Sequence, residues 1–274
     1  MTKIALGIFD GVHLGHQKVI EKAHWVVTFH PHPSFALKHD SDMRYLTTLS
    51  ERKILIGNLA VIKFNRRLAQ KSAERFVKDI LVKRFHPTEV IVGFDFCFGK
   101  NREGNVKTLT QLGRKFGFKV TVIPPYRMKG TPVKSSVIRN LLDEGQIEKA
   151  NVLLGREYFV TGKVVKGLGR GRKIGFPTAN VKADIHKLIP GCGVYAGSAI
   201  VNNQSYPAAI NIGNQPTFND GQYQMEAHLL NYNGPKLYGK PITIIFEKFI
   251  RPEQKFKSVV ELKRQIKKDV AKVG

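Results

Sequence analysis

Two cysteines, Cys97 and Cys192, are all that the 274 residues contain, and no C-x-x-C occurs. A disulfide framework and a thiolate zinc site are therefore not expected, and both residues read as isolated small hydrophobes. No apolar run approaches the roughly 18 residues that a membrane span requires. The first such run, "IALGIF", stops at Asp10 with no small-residue cleavage site behind it, so the chain is read as cytoplasmic and not membrane-bound. Internal repeats and low-complexity tracts are missing as well. Acidic residues are scarce: 21 Asp and Glu stand against 45 Lys and Arg, a formal net charge of +24. Such an excess suits anionic partners, whether nucleic acid, an anionic surface or phosphorylated small molecules. It does not choose among them. The basic residues are spread in pieces such as "KFNRR" and "LKRQIKK", which a solvated surface also explains.

What is present is core-forming: 42% of the chain is hydrophobic, enough for one large domain or two ordinary ones. The first half alternates β-rich runs ("KIALGIF", "WVVTF", "AVIKF", "EVIVGF", "KVTVI") with amphipathic stretches, the rhythm of a parallel sheet flanked by helices. "SAERFVKDILVKRF" puts Phe76, Val77, Ile80, Leu81 and Phe85 on one helical face, with Ser72 as its cap. A second helix runs from about Ser136 through "VIRNLLDEGQIEKANVLLG", with Gly145 as the place where it would break. After Gly155 come extended segments separated by turn signals such as "NNQ", "NDG" and "NGP". They predict a small antiparallel β-barrel, followed by a terminal helix with Val259, Leu262, Ile266 and Val270 as its packing stripe. The expected fold class is thus α/β plus β, over domains 1–154 and 155–274.

Three stretches carry chemistry. In "FDGVHLGH" a strand ends in a Gly-containing turn and opens a helix, which directs backbone N–H groups at an anion. Gly11 lets the backbone come close, and His13 and His16, three apart on the first helical turn, can both touch one phosphate chain. Zinc is the rival reading, because His13, His16, His24, His30, His32 and His39 crowd the first 39 residues. Against it, the prolines of "HPHP" fix an extended backbone and no thiolate is near. Packing or surface placement is the third reading.

In "GLGRGRKIGFPTANV" four glycines, Gly169 among them, alternate with Arg170, Arg172 and Lys173. Such a loop can cover a triphosphate, or be a plain basic surface loop before a strand. Thr178 and Asn180 follow Pro177 on one side of an extended segment, and hard oxygen donors of this kind suit Mg²⁺. In "YQMEAHLLN" the period of two separates Tyr223, Met225, Ala227 and Leu229 from Gln224, Glu226 and His228. Glu226 is then either an ordinary outward strand residue or a base.

"GIFDGVHLGHQ" resembles the H-x-G-H nucleotidyltransferase signature, in the form seen in prokaryotic bifunctional riboflavin kinase/FAD synthetases. The resemblance continues in order through "TFHPHP" (28–33), "VGFDFCFGKNREGN" (92–105), "KSSVIRNLL" (134–142), "GFPTAN", "GVYAG", "NIGNQPTF" (211–218) and "EAHLLNYNGPKLYGK", nearly the whole chain. It implies a Rossmann-like N-terminal half that moves AMP from ATP onto FMN, and a C-terminal half that phosphorylates riboflavin, with Mg²⁺ and ATP serving both. Riboflavin, FMN, FAD and ATP are the implied small-molecule partners. By the motifs, Phe9, Asp10, Gly11, His13 and His16 fall at the ATP phosphates, with Ser136 and Arg139 in a second nucleotide motif and Asp95 beside the flavin. Gly169 and Lys173 fall in a loop over the kinase nucleotide, Thr178 and Asn180 at its metal, and Glu226 at the ribityl hydroxyl as base. Alternatives are a paralogue keeping one of the two activities, or a basic nucleic-acid-binding protein on the same scaffold. Two connections, "KVIEKAH" and "ILIGNLAVIKF", are shorter than the family pattern, and His30 and Lys134 replace its usual Asp and Ser. The shortenings should act locally if they fall at helix–strand junctions.

Overall fold

The computed structural model describes residues 2–37, 43–128, 130–214 and 223–273, with nothing said of the side chains of Asn214 and Tyr223. His39, the "NDG" turn and positions 215–218 of "NIGNQPTF" therefore lie outside the described residues. Contacts divide the chain into two units, Met1–Ser135 and Ser136–Gly274.

In the first unit the elements follow as β1 (Lys3–Leu6), α1 (Leu14–Ile20), β2 (Trp25–His30), α2 (Pro33–Ala36), α3 (Leu49–Ile56), β3 (Leu59–Lys63) and α4 (Arg66–Ala69). After them come α5 (Ala73–Phe76), α6 (Lys83–Phe85), β4 (Glu89–Gly93), α7 (Val106–Phe116), β5 (Lys119–Ile123), β6 (Arg127–Met128) and β7 (Thr131–Pro132). The first five strands make a parallel sheet in the order β3-β2-β1-β4-β5. Each coincides with an apolar run named above. Successive β1 residues serve opposite faces: Ile4 and Leu6 pack with Phe29, Phe76, Leu81 and Leu109, and Ala5 packs with Phe9, Val19 and Ile91. A sheet buried on both faces needs such unbroken apolar strands. The strand order reverses at β1, so the loop after it opens where ligands of such sheets bind, beyond the carboxyl ends.

The helix expected over residues 72–85 forms with Ser72 as its cap, Arg75 N donating to Ser72 Oγ at 3.3 Å. Between α5 and α6, however, Val77–Val82 wind as a π-helix. The apolar positions are those of an α-helix, so periodicity did not reveal the extra residue per turn. The two short connections leave the sheet intact. Helix α1 is only seven residues long, yet Ile4 still pairs with Trp25, and the chain from α3 turns at Gly57 into β3 in register with β2.

The second unit starts within α8 (Ser135–Asp143) and continues through α9 (Ile147–Leu154), β8 (Tyr158–Val165), α10 (Arg170–Lys173), β9 (Ala179–Ala183) and β10 (Gly193–Val201). It ends with β11 (Gln204–Asn214), β12 (Tyr223–Leu229), β13 (Pro241–Arg251) and α11 (Val259–Val270). Gly145, at φ +71°, separates α8 from α9 at the predicted break. Asn151 of α9 donates to Phe246 O at 2.9 Å and accepts from Tyr158 N at 2.7 Å, which ties this helix to the strands that follow. Six antiparallel strands close a barrel in the order β10-β11-β12-β9-β8-β13. Val160, Ile210, Met225, Ala227, Ile244 and Phe246 are among its buried residues. The "NNQ" signal is a tight turn in which Asn202 and Asn203 both take positive φ, a conformation asparagine tolerates.

The terminal helix corrects one expectation. Val259 is 57% exposed, and Asp269, at 3%, lies on the buried side instead. Arg251 explains it: Nη2 meets the Asp269 carboxylate at 2.7 Å and Nε donates to both of its oxygens, while Gln265 donates to Oδ1. Removing one partner of such a pair strands the other charge. Asp269→Ala is expected to destabilise the second unit by about 3 kcal/mol, read from its denaturant midpoint.

Candidate active sites

Beyond β1 the chain makes a tight turn in which Phe9, Gly11 and Val12 have φ of 52°, 88° and 43°. Non-glycine residues hold such values only when the surroundings over-determine them. Here they do. Asp10 is 2% exposed, and its carboxylate accepts from Leu46 N at 3.1 Å, Thr47 N at 3.0 Å and the Thr47 hydroxyl at 3.2 Å. Gly11 N donates to Thr47 Oγ1 at 2.9 Å, and a Cβ on Gly11 would lie 2.7 Å from Leu46 Cδ1. Arg52, fully buried, donates from Nη1 to Ile8 O at 2.8 Å, and Thr28 Oγ1 donates to the same oxygen. Burial pushes the Arg52 guanidinium down from its ordinary value, and the nearby Asp10 opposes the shift.

On this frame His13 caps α1, its Nδ1 accepting from His16 N at 3.2 Å. A ring that accepts at Nδ1 carries its proton on Nε2 when neutral, as a donor. The two imidazoles stack with centroids 3.6 Å apart and planes 16° from parallel, and Phe9 meets His16 edge-on at 5.4 Å. His13 and His16 are thus one unit, while the Phe9 and Asp10 side chains turn inward and shape the turn. Asp95 is exposed on the turn after β4, the strand beside β1, and so belongs to the same sheet edge. Ser136 and Arg139 lie three residues apart on α8, counted with the second unit. Of the other histidines in the N-terminal cluster, His24 Nδ1 accepts from Lys3 N, His32 caps α2, and the His30 ring lies 6.2 Å from that of Tyr45.

The 45–52 segment was not read from sequence as part of this site. One local signal was there: Thr48-x-x-Glu51 is a capping box that starts α3, and both of its hydrogen bonds form. Its function as a clamp on the turn depends on contacts more than 30 residues away, which no local pattern encodes.

In the barrel, alternation along β12 holds: Met225, Ala227 and Leu229 are buried, and Gln224, Glu226 and His228 occupy the other face. Strand β9 sets Asn180 directly opposite Glu226, so "GFPTAN" and "MEAH" meet side by side. Thr178 Oγ1 donates to Glu226 Oε2 at 3.4 Å. Gln224 Nε2 donates to Glu226 Oε1 at 2.6 Å and to Asn180 Oδ1 at 2.9 Å. His228 Nδ1 and Pro177 O lie 2.8 Å apart, and the Phe176 ring packs edge-on against His228. Burial pushes the Glu226 carboxyl up, while hydrogen bonds from Thr178 and Gln224 and the charge of Arg170 hold it down in part. Gly169 and Lys173 bound the α10 turn, both exposed, beside Arg170 and Arg172. Gly167 fits against Asn180 so closely that a Cβ would stand 2.1 Å from Asn180 Nδ2.

Residues 154–274 match the riboflavin kinase family model, and residues 1–137 match that of FAD synthetase. The bifunctional riboflavin kinase/FMN adenylyltransferase of Bacillus subtilis (strain 168) is 41% identical over 286 aligned positions, which cover 97% of this chain and 89% of that protein. The Escherichia coli (strain K12) protein of the same description is 34% identical, covering 97% and 90%. A solved structure described as a macrolide-efflux protein from Streptococcus pneumoniae has a TM-score of 0.89 at 28% identity, covering 98% of this chain and 92% of its own.

Proposed function

Since the chain belongs to the bifunctional riboflavin kinase/FMN adenylyltransferase family, with both catalytic halves present, we propose a division of labour among its residues. The protein phosphorylates riboflavin to FMN and adenylylates FMN to FAD, with ATP as the donor each time. Residues 155–274 perform the first reaction and residues 1–154 the second, in the cytoplasm. Among the described residues no helix is long and apolar enough to cross a membrane. The charge excess is read as a field that favours ATP and FMN.

In the kinase half, the terminal ribityl hydroxyl attacks the γ-phosphorus, its proton passes to Glu226, and ADP leaves. The observation that carries this reading is the hydrogen-bonded set of Glu226, Thr178, Gln224 and Asn180 on one polar face, in which burial makes the carboxylate a stronger base. Thr178 Oγ1 and Asn180 Oδ1 are hard oxygen donors next to a carboxylate, a set that fits Mg²⁺. They would hold it, and the bound ion would neutralise phosphate charge. Gly169, Lys173 and the neighbouring arginines would cover the nucleotide.

In the adenylyltransferase half, an oxygen of the FMN phosphate attacks the α-phosphorus of ATP and pyrophosphate leaves. His13 and His16 donate to the phosphate oxygens on which charge builds, and Gly11 keeps the turn close. The motifs assign Ser136 and Arg139 to a second nucleotide motif and Asp95 to the flavin side.

Gly167→Ala tests the kinase reading without replacing a proposed ligand. Its Cβ would displace Asn180, and misplacement by about 1 Å can cost on the order of 100-fold. FMN formation from riboflavin should fall by at least about tenfold, while FAD formation from supplied FMN should be unchanged. Equal loss of both reactions, with the fold intact, would count against the assignment.

A further inference from the structure

Gln224 is assigned no function by its sequence neighbourhood, yet it stands between the two groups on which the barrel site depends. Its one amide nitrogen has two hydrogens and meets two oxygens, Asn180 Oδ1 at 2.9 Å and Glu226 Oε1 at 2.6 Å. The flipped amide would set its oxygen against a carboxylate and a carbonyl oxygen, which repels, so the orientation is fixed by chemistry. Asn180 is fixed in turn, with Oδ1 toward Gln224 and Nδ2 toward the close-packed Gly167. Glu226 is held at Oε1 by the short bond, while Oε2 meets Thr178 Oγ1 at the longer 3.4 Å.

We infer that Gln224 is a positioning residue of the kinase site: it selects the oxygen edge of the Asn180 amide and holds Glu226 by one oxygen, leaving the other to take the proton. The inference rests on the reading of Asn180 and Glu226 given above. A residue that orients a metal-side ligand typically contributes about 10- to 100-fold in metal affinity or activity.

The specific test uses the fact that an aspartate at position 180 presents oxygen on both edges, so its flip no longer matters. The full chain is titrated with ADP, product of the kinase reaction alone, with and without Mg²⁺, by calorimetry, alongside the kcat of FMN formation. Gln224→Met is expected to reduce the Mg²⁺-dependent gain in ADP affinity by about tenfold, and kcat by a similar factor. In an Asn180→Asp background the same substitution should cost affinity less than about threefold, while still lowering kcat. Equal affinity losses in the two backgrounds overturn the inference, because a merely structural residue would give them. If Asn180→Ala weakens Mg²⁺-dependent binding and Gln224→Met does not, the inference alone falls. If Asn180→Ala has no effect, the metal-side reading fails and the inference with it. Should Gln224→Met fail to fold, Gln224→Thr carries the same expectations, since threonine suits a strand and is too short to reach both acceptors.

Discussion

Replacing Glu226 by glutamine should abolish most riboflavin phosphorylation, lowering its kcat by about 10²- to 10⁴-fold, the usual contribution of a positioned base. The substitution keeps the shape of the side chain and its place opposite Asn180, so the barrel should fold as before. What it removes is the proposed proton acceptor. Burial raises the affinity of this carboxyl for a proton above the ordinary value, yet three neighbours, Thr178, Gln224 and Arg170, limit the rise. The balance suits a base that must be ionised before the hydroxyl attacks and must keep the proton afterwards. FAD formation from supplied FMN should be unaffected, because that reaction is assigned to the other half. Loss of both reactions in a folded variant would contradict the division.

His16→Ala should do the reverse. FAD formation is expected to fall by about 10²- to 10³-fold, as for removal of one fixed donor to a charge-bearing oxygen, while FMN formation continues. The effect exceeds that of a lost surface contact because His16 belongs to a stacked pair; separately, its backbone N–H fixes the Nδ1 of His13. The alanine retains that backbone bond but removes the ring that packs on His13 and Phe9. His13 then loses one wall of its slot. Chromatographic separation of flavins after incubation with FMN and ATP reads the result, and unchanged FAD output would remove the histidines from the mechanism.

Both sites were visible in the sequence to the extent that their chemistry is local. Short-range pattern found the parallel strands, because each is an apolar β-rich run between breaks. It also found the polar face of β12, because alternation there is regular. Strand β9 was legible as an extended segment after Pro177, but its partners were not: it pairs with β8 on one side and β12 on the other, contacts from distant sequence. Asp269 on the buried side of α11 is another case: hydropathy alone chose Val259, and the distant Arg251, with Gln265, satisfies the acid there.

The same limit governs the residues assigned to the two proposed sites. His13, His16, Thr178, Asn180 and Glu226 carry reactive groups in recognisable order, so they could be named from the chain. Thr47 and Arg52 act by holding the backbone of a turn some 40 residues earlier in sequence, and Gln224 acts by orienting two other side chains. Positioning of this kind leaves no spacing signature. It follows from the fold.

The central claim is that one chain makes FMN and then converts it to FAD. Its most direct test is a time course with riboflavin, ATP and Mg²⁺ as the only small molecules, with flavins separated by chromatography and pyrophosphate assayed in parallel. The account predicts that FMN appears first, that FAD follows after a lag, and that pyrophosphate rises in step with FAD. FMN that accumulates without FAD or pyrophosphate would contradict it.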